Sequence, residues 1–163
     1  MADSIEITDQ MRAAVGRQSE PWTYEVTTTG VRAFARGVGY DDPVYFDAGA
    51  AAAAGYDALP APPCYLGTPV YIPGRIDERF SYPPSARPGL GHGLKGLLDG
   101  GTDTTYERPV LAGERLTARS GVVDLEVKQS RSLGAMLVVT SETTFTDEGG
   151  DVVARQRSQA IFY

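Results

Sequence analysis

The C-terminal part of the sequence, from residue 102 onward, consists of four segments typical of β-strands. They are rich in β-branched and aromatic residues that often alternate with polar ones, and glycine-containing turns separate them. The segments are residues 102–109, 115–128, 135–145 and 152–162. Because strands joined by short turns pair antiparallel, the pattern predicts an antiparallel meander. The turn over residues 146–150 favours a hairpin, and the change of alternation at Val122 and Val123 predicts a bulge.

The N-terminal half begins with one strand and a helix. Residues 21–26 alternate apolar and polar side chains as a strand does. Apolar residues then recur at i, i+3, i+4 and i+7 from Val31 to Val38, which predicts an amphipathic helix. Thr28 or Thr29 is a suitable N-cap for it.

Two shorter helices are predicted next. Asp47 is a good N-cap for the alanine run over residues 50–54, and Gly55 supplies a C-terminal stop. Pro62 and Pro63 suit the first positions of a short buried helix.

The order of these elements predicts an α+β fold, because a strand, helices and a run of strands give a sheet that buries one face against a helix. At 163 residues the chain has the size of one domain. We expect a single domain over residues 1–163, with a helical N-terminal extension at residues 1–19. Residues 73–101 are rich in Gly and Pro, and loops of this length often line or cover sites.

Composition limits the partners. A net charge of −6 argues against nucleic acid, whose binding needs clustered Lys and Arg. The single cysteine, Cys64, cannot form an internal disulfide, and no stretch is apolar enough to span a membrane, so we expect a cytoplasmic protein. Arg75 lies with Arg79, Arg87 and Lys95 in one stretch, and these cations are either phosphate ligands for coenzyme A or solvated loop residues.

Three segments resemble the MaoC-like family of enoyl-thioester hydratases and dehydratases. Residues 34–45, which read FARGVGYDDPVY, are similar to the family signature of an aromatic residue, a spacer and Gly-Asp-x-Asn-Pro-aliphatic-His. Residues 61–63 resemble its turn before the central helix, and residues 106–116 its "RPV.AGD.L" segment. The resemblance covers roughly residues 20–163. It implies a hot-dog fold, a curved antiparallel sheet around a central helix.

The resemblance also bears on catalysis. In the family, the Asp and His of the signature activate or deliver the water that is added to the enoyl double bond or removed in its formation. Tyr40 and Tyr45 stand at these two positions, and a phenol with an ordinary pKa near 10 is a poor general base at neutral pH. The chain therefore resembles the FAS1-like dehydratase domain, the half of two-part dehydratases that shapes the acyl tunnel while a second subunit or domain supplies the chemistry.

Other residues near the motif are candidates for catalysis. Asp41 and Asp42 are either substitute bases in an apolar tunnel or turn carboxylates beside Pro43, and we favour the turn. His92 is the only histidine and lies between two glycines, from which it either reaches a site or remains exposed.

The start of the predicted central helix supplies candidates for substrate binding. Cys64 is either a nucleophile or, as we favour, a small buried core residue. The backbone N–H groups of Tyr65, Leu66 and Gly67 are candidate donors to the thioester carbonyl, as such groups are in hot-dog enzymes. Phe46 and the nearby tyrosines either wall an acyl tunnel or pack in the core.

These observations lead to one hypothesis and two alternatives. The hypothesis is the substrate-binding half of an enoyl-thioester hydratase or dehydratase that acts on acyl-CoA or acyl carrier protein without a metal or tightly bound redox cofactor. It would form a homodimer, or a heterodimer with a catalytic MaoC-like subunit, so that the sheet edges are covered. The alternatives are a self-sufficient thioesterase, addition enzyme or polyketide cyclase, and a non-catalytic acyl-binding scaffold.

Overall fold

The computed structural model describes residues 5–67 and 90–163, which form a five-stranded antiparallel sheet with a few helices. The strand order is β1-β3-β4-β5-β2. The strands are β1 (Trp22–Glu25), β2 (Leu97–Tyr106), β3 (Arg115–Ser130), β4 (Gly134–Thr146) and β5 (Val152–Phe162). The helices are α1 (Asp9–Arg12), α2 (Thr28–Gly37) and α3 (Ala48–Ala53), with 3-10 turns at Pro43–Tyr45 and Tyr65–Gly67. The predicted α+β class and sheet are confirmed.

The meander prediction is confirmed for β3, β4 and β5. The register of β3 on β4 shifts between Val122 and Asp124, at the bulge that the change of alternation predicts. The hairpin between β4 and β5 is closed by the Asp147 carboxylate, which accepts hydrogen bonds of 3.0 Å from the N–H groups of Gly149 and Asp151.

The prediction for β2 is partly wrong. The strand begins at Leu97 rather than residue 102, and it pairs with β5 at the sheet edge instead of preceding β3 in the meander. Two consecutive glycines, at 100 and 101, are typical of a loop in a sequence. They form a β-bulge instead, where Gly101 adopts φ +111°, a conformation that favours glycine.

The helices form as predicted, with different boundaries. The N-cap of α2 is Thr27, not Thr28 or Thr29, and its hydroxyl accepts a 3.0 Å hydrogen bond from the Gly30 N–H. Asp47 caps α3, accepting a 2.8 Å hydrogen bond from the Ala50 N–H. Of the predicted buried helix after Pro62, the structure describes only the 3-10 turn at Tyr65–Gly67, and the rest lies outside the described residues.

Two apolar clusters cover the core-facing side of the sheet at its two ends. The first joins α2 and the Tyr65–Gly67 turn to β1, β3 and β4, and includes Val31, Tyr65 and Phe145. The second joins the N-terminal segment to β3 and β4, and includes Met11 and Leu137. None of the helices within the described ranges is long and apolar enough to cross a membrane.

Candidate functional site

The MaoC-like motif forms the connection between α2 and α3. Gly39 adopts φ +81° just beyond α2, and the Tyr40 N–H donates to the Ala35 carbonyl, so the chain turns sharply away from the helix. The rings of Tyr40 and Tyr45 then stack, with centroids 5.6 Å apart and planes inclined by 23°. The two residues at the family's Asp and His positions are therefore one aromatic pair.

The surroundings of Tyr45 make its phenol a weak base. Burial raises the pKa of the Tyr45 phenol above its ordinary value of 10, and nearby Tyr40, Asp42 and Tyr56 raise it further. The ring of Tyr40 is 38% exposed. At neutral pH the Tyr45 hydroxyl is protonated, so it donates hydrogen bonds and does not abstract protons.

The two aspartates beside the pair have different surroundings. The Asp42 carboxylate accepts a 3.0 Å hydrogen bond from the Val44 N–H and caps the Pro43–Tyr45 turn. Asp41 is exposed. The structure thus gives Asp42 a backbone function, while a role of either aspartate as a substitute base stays a prediction. Phe46 is half-buried, and its carbonyl accepts a 3.0 Å hydrogen bond from the Arg32 side chain.

The Tyr65–Gly67 turn is attached to both edge strands. The Tyr24 hydroxyl of β1 donates to the Tyr65 carbonyl at 2.9 Å, and the Tyr106 hydroxyl of β2 donates to the Pro63 carbonyl at 2.5 Å. Both phenols act as donors here, which deprotonation would abolish, and burial raises the pKa of Tyr106 to about 12. Tyr106 was not among the predicted site residues, although it is the first residue of segment 106–116, which carries part of the family resemblance.

Two of the three predicted thioester donors are engaged within this turn. The Tyr65 N–H donates to the Pro62 carbonyl at 2.9 Å, and the Gly67 N–H donates to the Cys64 carbonyl at 3.4 Å. The side chains of Tyr65 and Leu66 are both 3% exposed and face the first apolar cluster. Donation to a substrate by these N–H groups stays a prediction.

The Tyr65 ring lies against the start of α2. It makes an edge-on contact with the ring of Phe34 at 5.7 Å between centroids. Burial raises the pKa of Tyr65, and a hydrogen bond with the Thr27 backbone partly offsets this. A Cβ at Gly30 would lie 2.6 Å from the Tyr65 hydroxyl oxygen, so this approach requires glycine.

Cys64 is exposed, and the prediction that it is a buried core residue is wrong. Pro63 and Cys64 are both exposed, while the next two side chains enter the core. A sequence of three apolar residues in a row does not say which of them faces solvent.

His92 lies at the other end of the sheet. Its Nδ1 accepts a 3.1 Å hydrogen bond from the Leu94 N–H, and its ring centroid is 4.2 Å from that of Phe162. Phe162 belongs to the second apolar cluster, whereas Ala154, eight residues earlier in β5, belongs to the first. That separation along a strand is about 26 Å. His92 therefore packs at the end of β5 that belongs to the second apolar cluster, and its role in catalysis stays a prediction. Arg75 lies outside the described residues.

A groove of about 640 Å³ lies on the opposite side of the sheet from the apolar clusters. Its lining includes Asp103 of β2, Asp124 of β3, and Arg157 and Gln159 of β5. The register shifts in β2 and in β3 border it, because Gly101 and Val123 are also in its lining. Within residues 5–67 and 90–163, no group of His, Cys, Asp and Glu is arranged to hold a metal ion.

The sheet, the helices on one of its faces and the motif between α2 and α3 define a hot-dog-fold protein of the MaoC-like dehydratase type. The sequence pattern of the FAS1-like, dehydratase domain region matches residues 13–156, and the chain belongs to this family. A UPF0336 protein of Parafrankia sp. is 34% identical over 131 residues, which are 80% of this chain and 79% of that protein.

Solved structures of the same type include parts of larger assemblies. A chain of the HadBC (3R-hydroxyacyl-ACP dehydratase) complex from Mycobacterium tuberculosis superposes with a TM-score of 0.63 at 25% identity, covering 88% of this chain and 95% of that one. A MaoC-like dehydratase superposes with a TM-score of 0.72 at 26% identity. It covers 93% of this chain, but only 42% of the longer protein is matched.

Proposed function

We propose that this chain is the substrate-binding half of an acyl-thioester hydratase or dehydratase and that it works with a catalytic MaoC-like subunit. Its substrate is an acyl group carried by coenzyme A or acyl carrier protein, and the reaction adds water to, or removes water from, the bond next to the thioester. Membership of a dehydratase-domain family supports the reaction class.

The observation that carries the proposal is the Tyr40–Tyr45 stack. Hydration of an enoyl thioester needs a group that removes a proton from water and one that delivers a proton to carbon. In this chain the two motif positions hold phenols in mutual contact, and the pKa of Tyr45 is raised. An aromatic pair can line an apolar tunnel, but it does not supply a base at neutral pH, so the base comes from another subunit.

The Tyr65–Gly67 turn supports a binding role. The Tyr24 hydroxyl donates to the Tyr65 carbonyl within the turn, and the Tyr106 hydroxyl donates to the Pro63 carbonyl two residues before it, so this backbone is attached to both edges of the sheet. A turn fixed in this way suits a wall of a binding site, because ordering it costs nothing further when the ligand binds.

The edge strand β2 supports the pairing. Most of its ten residues are exposed, and Leu97 and Leu98 are 60% and 43% exposed. A long edge with exposed apolar residues is a surface to which another strand can add. The similarity to one chain of the HadBC complex, and to less than half of a longer MaoC-like dehydratase, favours a chain that is one of two halves.

The test is an enoyl-CoA hydration assay, in which the reaction is measured as the loss of double-bond absorbance. The chain is assayed alone and then mixed with a MaoC-like protein encoded next to it. We expect turnover only in the mixture, and the Tyr45→Phe variant should retain it within about twofold, because Tyr45 is not the base.

Two other outcomes would replace the proposal. Turnover by the chain alone that is lost in Asp41→Asn would identify a self-sufficient enzyme with an unusual base. Binding of the acyl-CoA with no turnover, even in the mixture, would identify a scaffold.

A further inference from the structure

The edge strand β2 carries acidic side chains and no basic ones. Asp99 and Asp103 lie within it, Glu107 follows its last residue, and no Lys or Arg occurs between residues 97 and 107. The Asp99 carboxylate accepts a 2.9 Å hydrogen bond from the Gly101 N–H at the bulge. Glu107 forms an ion pair of 3.1 Å with Arg155. These two acids are thus engaged within the chain.

Asp103 is different. Its nearest cross-strand neighbour is Arg157 on β5, but the Arg157 guanidinium forms a 2.7 Å ion pair with Glu142 on β4. Within the part of the chain that the structure describes, no ion pair or hydrogen bond engages the Asp103 carboxylate, and the residue is exposed. It stands in the middle of the regular part of the edge, on the side of the groove.

The pairing of β2 with a second copy of itself would bring carboxylates together. In a symmetric antiparallel pair, the residues opposite each other have numbers that add up to a constant. If the symmetry axis of the pair passes through residue 103, Asp103 faces Asp103 of the second copy. If the axis passes through residue 105, Asp103 faces Glu107 of the second copy. If the axis passes through residue 102 or 104, the two Asp103 side chains are diagonal neighbours across the strand pair. Like charges at these positions oppose pairing.

We infer that the β2 edge selects a different chain whose added strand carries Lys or Arg opposite Asp103, and that it disfavours a second copy of this chain. The inference rests on the proposed function for the existence of a partner subunit. The inference adds the reason for choosing this partner. Backbone hydrogen bonds between two edge strands tolerate many sequences, so a positive charge opposite Asp103 provides the selectivity.

An alternative explanation is that Asp103 only protects the exposed edge of the sheet against aggregation. Charged residues on an edge strand prevent aggregation by repelling other strands. Both explanations predict weak self-association, and they differ in whether a strand with the opposite charge at this position then binds.

The experiment uses a charge-reversed copy as the partner. Wild-type chain, its Asp103→Lys variant and their equimolar mixture are compared by sedimentation velocity over a range of protein concentrations at low salt. We expect the mixture to associate about tenfold more tightly than wild type alone, because the mixture replaces repulsive cross-strand contacts by attractive ones. Added salt should reduce this difference.

Glu148→Lys is the matched control. Glu148 is exposed in the turn between β4 and β5, so its reversal changes the net charge equally without touching β2. A mixture of wild type with this variant should associate no more tightly than wild type alone.

Two results would overturn the inference. One is a wild-type dimer whose dissociation constant changes neither with salt nor in Asp103→Lys. The other is a mixture with Asp103→Lys that gains nothing over wild type, including the case in which every sample stays monomeric. Since the experiment measures association without turnover, its failure is distinct from failure of the proposed activity, which is assayed with the unmodified chain.

Discussion

The hydroxyl of Tyr24 donates a buried hydrogen bond of 2.9 Å to the carbonyl oxygen of Tyr65, 41 residues away in sequence. This bond joins edge strand β1 to the Tyr65–Gly67 turn, which lies at the start of the predicted central helix. Each of its two residues is 3% exposed or less. Because the bond is buried, its loss costs more than the loss of a hydrogen bond exposed to water.

Tyr24→Phe should therefore lower the free energy of unfolding by about 1 kcal/mol, since it removes one buried hydrogen bond while keeping the ring. Urea denaturation measures this change. Tyr40→Phe is the control, because the Tyr40 ring lies at the surface and loss of its hydroxyl should have an effect below about 0.5 kcal/mol. Equal effects of both substitutions would contradict the assigned role of the hydrogen bond.

Gly30→Ala should destabilise the chain by about 1–3 kcal/mol, because the new methyl group would lie 2.6 Å from the Tyr65 oxygen and 2.9 Å from the Thr27 hydroxyl. Gly37→Ala, in the same helix, meets no atom within 4 Å and should be neutral or stabilising by up to about 1 kcal/mol. Thermal unfolding of both variants checks the contrast. Combining Gly30→Ala with Tyr65→Phe removes one of the two clashing atoms and should recover part of the loss.

Thr27→Ala should cost about 1 kcal/mol of stability, because its hydroxyl caps α2 through the Gly30 N–H. Thr29→Ala is the same substitution in the first turn of the helix and leaves the cap in place. It should lower the free energy of unfolding by less than half as much. The two denaturation midpoints should differ in this order. The reverse order would mean that the cap lies where the sequence pattern predicted it.

Asp147 should make stability depend on acid pH. The hydrogen bond from Arg108 is the main reason that the pKa of this carboxyl lies below its ordinary value of 3.8, and backbone donors lower it further. A carboxyl whose pKa is lower in the folded chain stabilises it above the unfolded pKa, and this contribution is lost as pH falls through the folded pKa. Between about pH 5 and pH 2, the wild type should therefore lose more stability than Asp147→Asn. Parallel urea midpoints for both proteins across this range would show that Asp147 contributes nothing.

Much of the fold follows from local pattern. The bulge near Val122 is visible as a change of alternation, and the alanine helix is bounded by Asp47 and Gly55, two residues with strong end preferences. These signals are local, because each depends only on residues within one strand or within one or two turns of a helix. The structure keeps every one of them.

Other features depend on distant residues and could not be predicted in this way. The start of β2 at Leu97 depends on pairing with Phe162, 65 residues later, which stabilises a strand across two glycines. Three consecutive threonines, at positions 27, 28 and 29, precede the apolar residues of α2, and the local sequence does not distinguish which of them is the cap. The hydrogen bond from the Tyr106 hydroxyl to the Pro63 carbonyl joins residues 43 positions apart, and no local pattern predicts it. The stacking of Tyr40 on Tyr45 is likewise a side-chain contact that the pattern of apolar and polar residues does not predict.

The N-terminal segment has a practical consequence. Residues 1–19 resemble an appendage in the sequence, yet Met11 and Ala14 are 1% and 3% exposed and complete the second apolar cluster. The Gly16 N–H also donates to the Val122 carbonyl beside the bulge. A chain trimmed to begin at residue 20 would leave Val122 and Leu137 facing water. Such a shortened protein would aggregate during purification, so affinity tags belong upstream of an intact N-terminal segment rather than in place of it.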